Sequence, residues 1–183
     1  MIELKIEKAG LLIVDMQDKL FPLVDNSREI LEKSLKLIKG CKLLQIPIVI
    51  SEQYPKGLGS TIEAIQKIVG HETKALSKTT FSCLKDPHFE KEIHSMACSQ
   101  WILMGIEAHV CVLQTAISLI QAGKQVVIAK DAIASRSFYD CSSAIEELRG
   151  MGARVSTMET ILFDLVGDST HAAFKSLSAL IKS

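Results

Sequence analysis

The sequence predicts an α/β fold: three α/β/α layers around a central, mostly parallel sheet of about six strands, Rossmann-like in its alternation of strand and helix. Three observations predict it. Short apolar runs recur at residues 10–14, 47–51, 101–104 and 125–129 without polar alternation, which is how strands covered on both faces read. The stretches between them carry apolar residues at helical spacing, so strand and helix alternate along the chain. Strands joined by such crossovers lie parallel, with right-handed connections and helices on both faces.

Gly10-Leu11-Leu12-Ile13-Val14 reads as a central strand that stops abruptly at Asp15. An acid there stands where open parallel sheets place their ligand crevice, although a turn or cap uses the same residue type. Met16-Gln17-Asp18 and Phe21-Pro22 then form a loop. Asn26 or Ser27 caps a helix through Leu44, with Ile30, Leu31, Ser34, Leu35, Ile38 and Cys41 on its inner face. Residues 47–51 form the second strand, and 52–60, with Tyr54-Pro55 and Gly57-Leu58-Gly59, form a loop suited to lie over a pocket. Its Gly-x-Gly follows the strand too distantly to bind a dinucleotide. Ile62, Ile65, Gln66 and Val69 mark a short helix ending at Gly70. Lys78 then falls between a short strand and a polar loop, where a lysine is ordinarily a solvated surface charge. Pro87 starts a helix to Met96 with Phe89 and Ile93 inward. Beyond Gly123 come a strand at 125–129, a helix at 139–151, a short strand at 154–157, a brief helix at 160–166 and a last amphipathic helix at 169–181.

A chain of 183 residues that is 48% hydrophobic buries a sizeable core as one domain, residues 1–183. With 21 basic and 21 acidic residues and no basic block, it carries no electrostatic footprint for nucleic acid or an anionic membrane, so a small molecule is the expected partner. Balanced charge and positive mean hydropathy fit a homo-oligomer that hides some of its surface. Residues 1–8 alternate apolar and charged side chains, unlike a signal peptide, and no apolar run reaches the ~18 residues of a membrane span, so the expected compartment is the cytoplasm. The five cysteines, Cys41, Cys83, Cys98, Cys111 and Cys141, form no Cys-x-x-Cys pair and read as reduced thiols rather than a disulfide framework or zinc site. The histidines match no helical metal pair, and no metal or other cofactor is expected.

Residues 101–104 read as a buried strand, and Val112, Ala116, Leu119 and Ile120 recur at helical spacing, so Cys111 sits where strand becomes helix. The unpaired N–H groups and positive dipole end of a first helical turn favour thiolate, which lowers a cysteine pKa toward neutrality. A small buried hydrophobe, the role of most free cysteines, suits the same position. In a parallel sheet, Asp15, Lys78 and Cys111 all leave carboxyl ends of strands and share one rim. There a carboxylate accepts the thiol proton, a cation stabilises the thiolate and orients the carboxylate, and the sulfur attacks.

At Leu12-Ile13-Val14-Asp15-Met16-Gln17, Lys78-Thr79-Thr80-Phe81-Ser82 and Gly105-Ile106-Glu107-Ala108-His109-Val110-Cys111-Val112, the sequence resembles the isochorismatase-like cysteine hydrolases, the superfamily of nicotinamidases and carbamoylsarcosine amidases. Ser51-Glu52-Gln53-Tyr54-Pro55 and Asp131-Ala132-Ile133-Ala134-Ser135-Arg136-Ser137 look most like the small isochorismatase-domain proteins of unassigned substrate. The resemblance spans nearly the whole chain. It implies the isochorismatase-like hydrolase fold, an Asp15-Lys78-Cys111 triad, and a non-proline cis peptide between Ile106 and Glu107. That bond would turn the backbone N–H groups of Glu107 and Cys111 toward one point, an oxyanion hole. The activity implied is hydrolysis of a small amide through a cysteine thioester.

The sequence departs from nicotinamidases, whose Asp-x-His and further histidine bind a metal; Ser51-Glu52-Gln53-Tyr54 holds no such pair, although His71 lies nearby in sequence. True isochorismatases lack the cysteine, so Cys111 favours C–N over C–O cleavage. Two other readings stand beside the amidase: a catalytically silent oligomeric interaction protein that kept the fold, and a thiol-redox protein pairing Cys111 with Cys83. Phe21 and Tyr54 are candidates for an apolar pocket wall or for ordinary core. His109 lines the pocket or faces solvent. Asp131 and Arg136 contact substrate or form a loop-stapling ion pair with each other.

Overall fold

β1 (Ala9–Val14) lies at the middle of the sheet because it offers water nothing: all six residues are apolar or glycine, and all six are buried. The computed structural model describes residues 2–70, 72–73 and 75–183. After β1 the chain runs α1 (Ser27–Leu43), β2 (Ile48–Gln53), α2 (Pro55–Leu58), α3 (Glu63–Val69), β3 (Ala75–Lys78), α4 (Pro87–Ser95) and β4 (Gln100–Ile106). It continues through α5 (Leu113–Gln121), β5 (Gln125–Ala134), α6 (Phe138–Gly150), β6 (Arg154–Ser156), α7 (Met158–Val166) and α8 (Phe174–Lys182). No helix among the described residues is long and apolar enough to cross a membrane.

The strands pair in parallel in the order β3-β2-β1-β4-β5-β6. Along β1, Ala9, Leu11 and Ile13 join the apolar cluster beneath α1, α3, α7 and α8, while Leu12 and Val14 join the one beneath α4, α5 and α6. The expected three-layer architecture is therefore present. Each fully buried Leu, Ile or Val of this strand contributes about 1.5–3 kcal/mol. The order also fixes where a ligand can sit. The chain builds outward from β1 through β2 and β3, then returns to lay β4 against the other edge of β1. Neighbouring strands whose connections leave in opposite directions open a crevice beyond their carboxyl ends, here between β1 and β4.

Several elements differ from their expected extent for local reasons. The inner face of α1 is centred on Leu37, Ile38 and Cys41, with Leu31 and Leu35 only partly buried. The loop after β2 contains the short helix α2, which begins where Tyr54 turns into the left-handed region at φ 37. β5 runs on to Ala134, beyond the expected 129, because Ile133 and Ala134 pair with Gly105 and Ile106 across a register shift. The last helix begins at 174 instead of 169. The Asp168 carboxylate holds the backbone N–H and hydroxyl of Thr170, at 2.6 and 2.5 Å, in a turn that competes with helix.

Gly105 marks the closest approach of β4 to β1. Its φ is 144, and a Cβ there would stand 2.2 Å from the carbonyl oxygen of Val14. Gly105→Ala is expected to lower the unfolding free energy by about 3 kcal/mol, since both the backbone angle and the contact resist a side chain. Gly123→Ala, at φ 76 with nothing within 4 Å, has only the angle to resist it and costs about 1 kcal/mol. Urea denaturation of both variants checks the difference; equal midpoints would contradict it.

Candidate active site

Asp15 leaves β1 in the left-handed region at φ 52, which turns its carboxylate back under the neighbouring strand ends, where it is fully buried. The Ser51 hydroxyl of β2 donates to its Oδ1 at 2.6 Å and the Lys78 ammonium to its Oδ2 at 2.8 Å. Lys78 closes β3, two strands from β1, and pairs in register with Gln53 of β2. Its ammonium also donates to Gln53 Oε1 at 2.8 Å. The side chains of Asp15 and Lys78 have no exposed surface. Gln53 is held in turn. Its amide donates to the Thr79 carbonyl at 2.9 Å, and its backbone N–H donates to Oε1 of the buried Gln17 at 2.7 Å.

Cys111 reaches the same point from the other side of the crevice. Beyond β4, Glu107 enters the left-handed region at φ 54, and residues Ala108–Val112 form a single π-helical turn before α5 begins. Such turns recur at functional sites because they displace one side chain from the regular helical ladder. Cys111, 5% exposed, lies near enough to Asp15 and Lys78 for both charges to act on its thiol. Cys83 stands behind this group, its backbone N–H donating to the Thr115 hydroxyl one helical turn past Cys111, at 3.0 Å. Of the five non-glycine residues with positive φ among those described, Asp15, Tyr54 and Glu107 lie at the ends of β1, β2 and β4, so backbone strain collects on this rim.

The electrostatics reverse one expectation. Burial pushes the Cys111 thiol well above its ordinary value, the charge of Asp15 pushes it further, and Lys78 offsets only part of this. The helix-entry effect on Cys111 is outweighed by its dry, carboxylate-facing position. Cys83 is likewise raised by burial, to about 11. Burial pulls Lys78 down, but Asp15, Cys83 and Cys111 together hold it above its ordinary value. The resting arrangement is therefore a neutral thiol facing a carboxylate–ammonium pair. It is suited to giving up its proton as the sulfur attacks, not to standing as a thiolate.

The other expected positions fall in different places. No cis peptide bond occurs among the described residues, so Ile106–Glu107 is trans, contrary to expectation; the left-handed Glu107 makes the reversal instead. Phe21 packs into the core on the α1 side. Tyr54 is 55% exposed at the rim, and its backbone N–H donates to the Lys78 carbonyl at 2.9 Å. His109 Nδ1 pairs with the Ser135 hydroxyl at 2.9 Å. Asp131 and Arg136 do not pair: Asp131 accepts from the Met158 N–H at the start of α7, at 2.7 Å, and Arg136 Nε reaches Glu107 at 3.1 Å. Arg136 thus staples the loop before Cys111. His71 lies outside the described residues. Ser51, Gln53 and Gln17 join the site as well; in the sequence they stand within the motifs Ser51-Glu52-Gln53-Tyr54-Pro55 and Leu12-Ile13-Val14-Asp15-Met16-Gln17 that carry the family resemblance, with no role of their own assigned.

A family model described as Isochorismatase domain matches residues 9–160. Isochorismatase domain-containing protein 2 of Bos taurus is 38% identical over 173 residues, 94% of this chain and 82% of its own length. The structure of MAR1 ribonuclease from Caenorhabditis elegans superposes with a TM-score of 0.93 at 35% identity, covering 100% of this chain and 93% of that one. The YcaC gene product from Escherichia coli, described as an octameric hydrolase of unknown specificity, shares the fold at a TM-score of 0.93 and 21% identity, covering 99% of this chain and 90% of its own.

Breaking the buried pair leaves one charge without its partner, so Asp15→Asn and Lys78→Met are each expected to cost about 3–5 kcal/mol in urea unfolding at pH 8. Lys78 and Cys83 both hold protons more tightly folded than unfolded, so their contribution is complete below pH 9 and is lost as pH rises through the folded values, that of Cys83 being about 11. Wild-type stability should decline across that alkaline range, and less steeply in Cys83→Ala. A flat profile from pH 9 to 11 would contradict this.

Proposed function

Because the chain belongs to the isochorismatase domain family, we propose that it is a cysteine hydrolase cleaving a C–N amide bond of a small molecule, with Asp15, Lys78 and Cys111 as its reacting group. The observation that carries this reading is the wholly buried ion pair of Lys78 and Asp15 at 2.8 Å with the Cys111 thiol beside it. A fold keeps two charges out of water at considerable expense in desolvation, and a nucleophile alongside them gives that arrangement a use.

Asp15 takes the proton of Cys111 as the sulfur attacks the amide carbonyl carbon. The carbonyl π pair moves onto oxygen, for which backbone N–H groups of Glu107 and Cys111 are the donors we assign, turned toward it by the left-handed Glu107 in place of the expected cis bond. When the tetrahedral centre collapses, the C–N bond breaks and Asp15 returns the proton to the leaving amine. Water, deprotonated by the same carboxylate, then adds to the thioester and expels the thiol. Lys78 pairs with Asp15 and opposes the negative charge that builds on sulfur.

Ser51 and Gln53, at the end of β2 where the sequence of nicotinamidases carries the metal-binding Asp-x-His, are already engaged with Asp15 and Lys78, which speaks against nicotinamide as substrate. The nematode relative is named a ribonuclease. The equal numbers of basic and acidic residues in this chain favour an uncharged small amide over RNA. We read the protein as a single-domain, cytoplasmic homo-oligomer. The octamer reported for the YcaC product and the exposed Phe138 and Tyr139 at the start of α6 support the assembly.

The test is a panel of small primary and secondary amides followed by ammonia or amine release and by intact mass after acid quench. An acyl adduct on Cys111 at short times is expected, absent in Cys111→Ala, with kcat/KM lowered about 10²–10⁴-fold in Asp15→Asn. Turnover that survives Cys111→Ala, or a panel that leaves no adduct on Cys111, would sink the amidase reading. A Cys83–Cys111 disulfide formed under mild oxidation would favour a redox protein.

A further inference from the structure

β2 places two uncharged side chains, Ser51 and Gln53, on one face of its carboxyl end, and each grips one of the two charges of the site. Ser51 donates to Asp15. Gln53 accepts from Lys78, and the oxygen that does so belongs to an amide whose nitrogen is anchored on the Thr79 carbonyl. A tetrahedral ammonium has three N–H groups. With Asp15 Oδ2 and Gln53 Oε1 both at 2.8 Å, two directions are taken, and the third is set by those two. A glutamate at position 53 would grip the ammonium more strongly, but it would also put a second carboxylate on one cation. Gln53 fixes the cation and leaves its charge undivided.

Resting on the hydrolase reading above, we propose that Gln53 is a positioning residue of the site, acting through Lys78. It holds the ammonium in place between Asp15 and Cys111 as a neutral acceptor, so that the whole positive charge remains available to the sulfur. Gln17 extends the hold, its amide bonding the Gln53 and Gly59 carbonyls at 3.0 and 2.6 Å and fixing the strand end from which Gln53 projects.

The probe is iodoacetamide, a small primary amide from which a cysteine sulfur displaces iodide, its thiol proton passing to Asp15 or solvent. The rate of carbamidomethylation at Cys111 is followed by peptide mapping from pH 7 to 9, with Cys141, on α6 and outside the triad, as the reference thiol. Gln53→Glu matches the wild-type side chain in size and keeps the acceptor to Lys78 while losing the donor to the Thr79 carbonyl, and Gln53→Met loses both, so a purely structural role predicts a defect in Gln53→Met at least as large as in Gln53→Glu. A positioning role through an undivided charge predicts the opposite order. Gln53→Glu should slow Cys111 about tenfold, the effect of one unit in thiol pKa, and Gln53→Met should slow it several-fold, while Cys141 is unchanged in both. A Gln53→Glu rate within twofold of wild type overturns the proposal; should that variant not fold, a Gln53→Met rate equal to wild type does so. Lys78→Ala separates this from the underlying reading. If it leaves Cys111 unaffected, the triad itself fails; if it slows Cys111 and the Gln53 variants do not, only the role of Gln53 fails.

Discussion

The ion pair of Asp15 and Lys78 is the interaction on which the rest of the structure depends. Two charges with no exposed surface each cost several kcal/mol in lost hydration, and their mutual attraction offsets this only when every remaining donor and acceptor is used well. Here the carboxylate takes a hydroxyl from Ser51 and the ammonium gives a second hydrogen bond to Gln53. The ends of β1, β2 and β3 must therefore lie level, and parallel pairing at the registers Val14 with Ser51 and Gln53 with Lys78 places them so. The sheet and the site impose the same geometry on one another.

Cys111 meets this pair from across the crevice, and its surroundings define what kind of nucleophile it is. A thiolate stabilised in advance would gain from water, from nearby cations and from the absence of acids. Cys111 instead has apolar packing and the Asp15 charge against it. The thiol is stored protonated beside the Asp15 carboxylate. Such a site suppresses chance alkylation and oxidation, and this weighs against the redox alternative, since thiol reactivity toward peroxide follows thiolate content.

Much of this was legible in the amino-acid sequence. Leu11-Leu12-Ile13-Val14 and Trp101-Ile102-Leu103-Met104 have no polar face, which suits strands covered on both sides, and the helical spacing between such runs completes the layer architecture. Asp15 and Cys111 stand out because each follows such a run, and Lys78, after Ala75-Leu76-Ser77, only through their company. Ser51 and Gln53 appear only inside a motif of the family resemblance, since a polar residue at a strand end carries no periodic signal and gains a role only when register sets it beside a charge. The direction of the Cys111 pKa was missed for a related reason. Position at a helix entry is local and visible in sequence, whereas burial and the nearness of Asp15 are products of tertiary packing. The extension of β5 to Ala134 comes with a register shift against β4 between Leu103 and Gly105, which no pattern of apolar residues encodes.

The order of the strands also decides when the site comes into being. Asp15 and Lys78 are separated by 63 positions in the chain, and the thiol comes from beyond the return crossover to β4. Contacts between distant segments form late, because the entropy of closing the intervening loops is lost before the contact repays it. A nascent or partly folded chain thus holds base, cation and thiol as three unrelated residues, the thiol exposed to water at its ordinary pKa. Docking of β4 on β1 buries that thiol beside Asp15, so completion of the fold assembles the group and withdraws the sulfur from chance reaction in the same step.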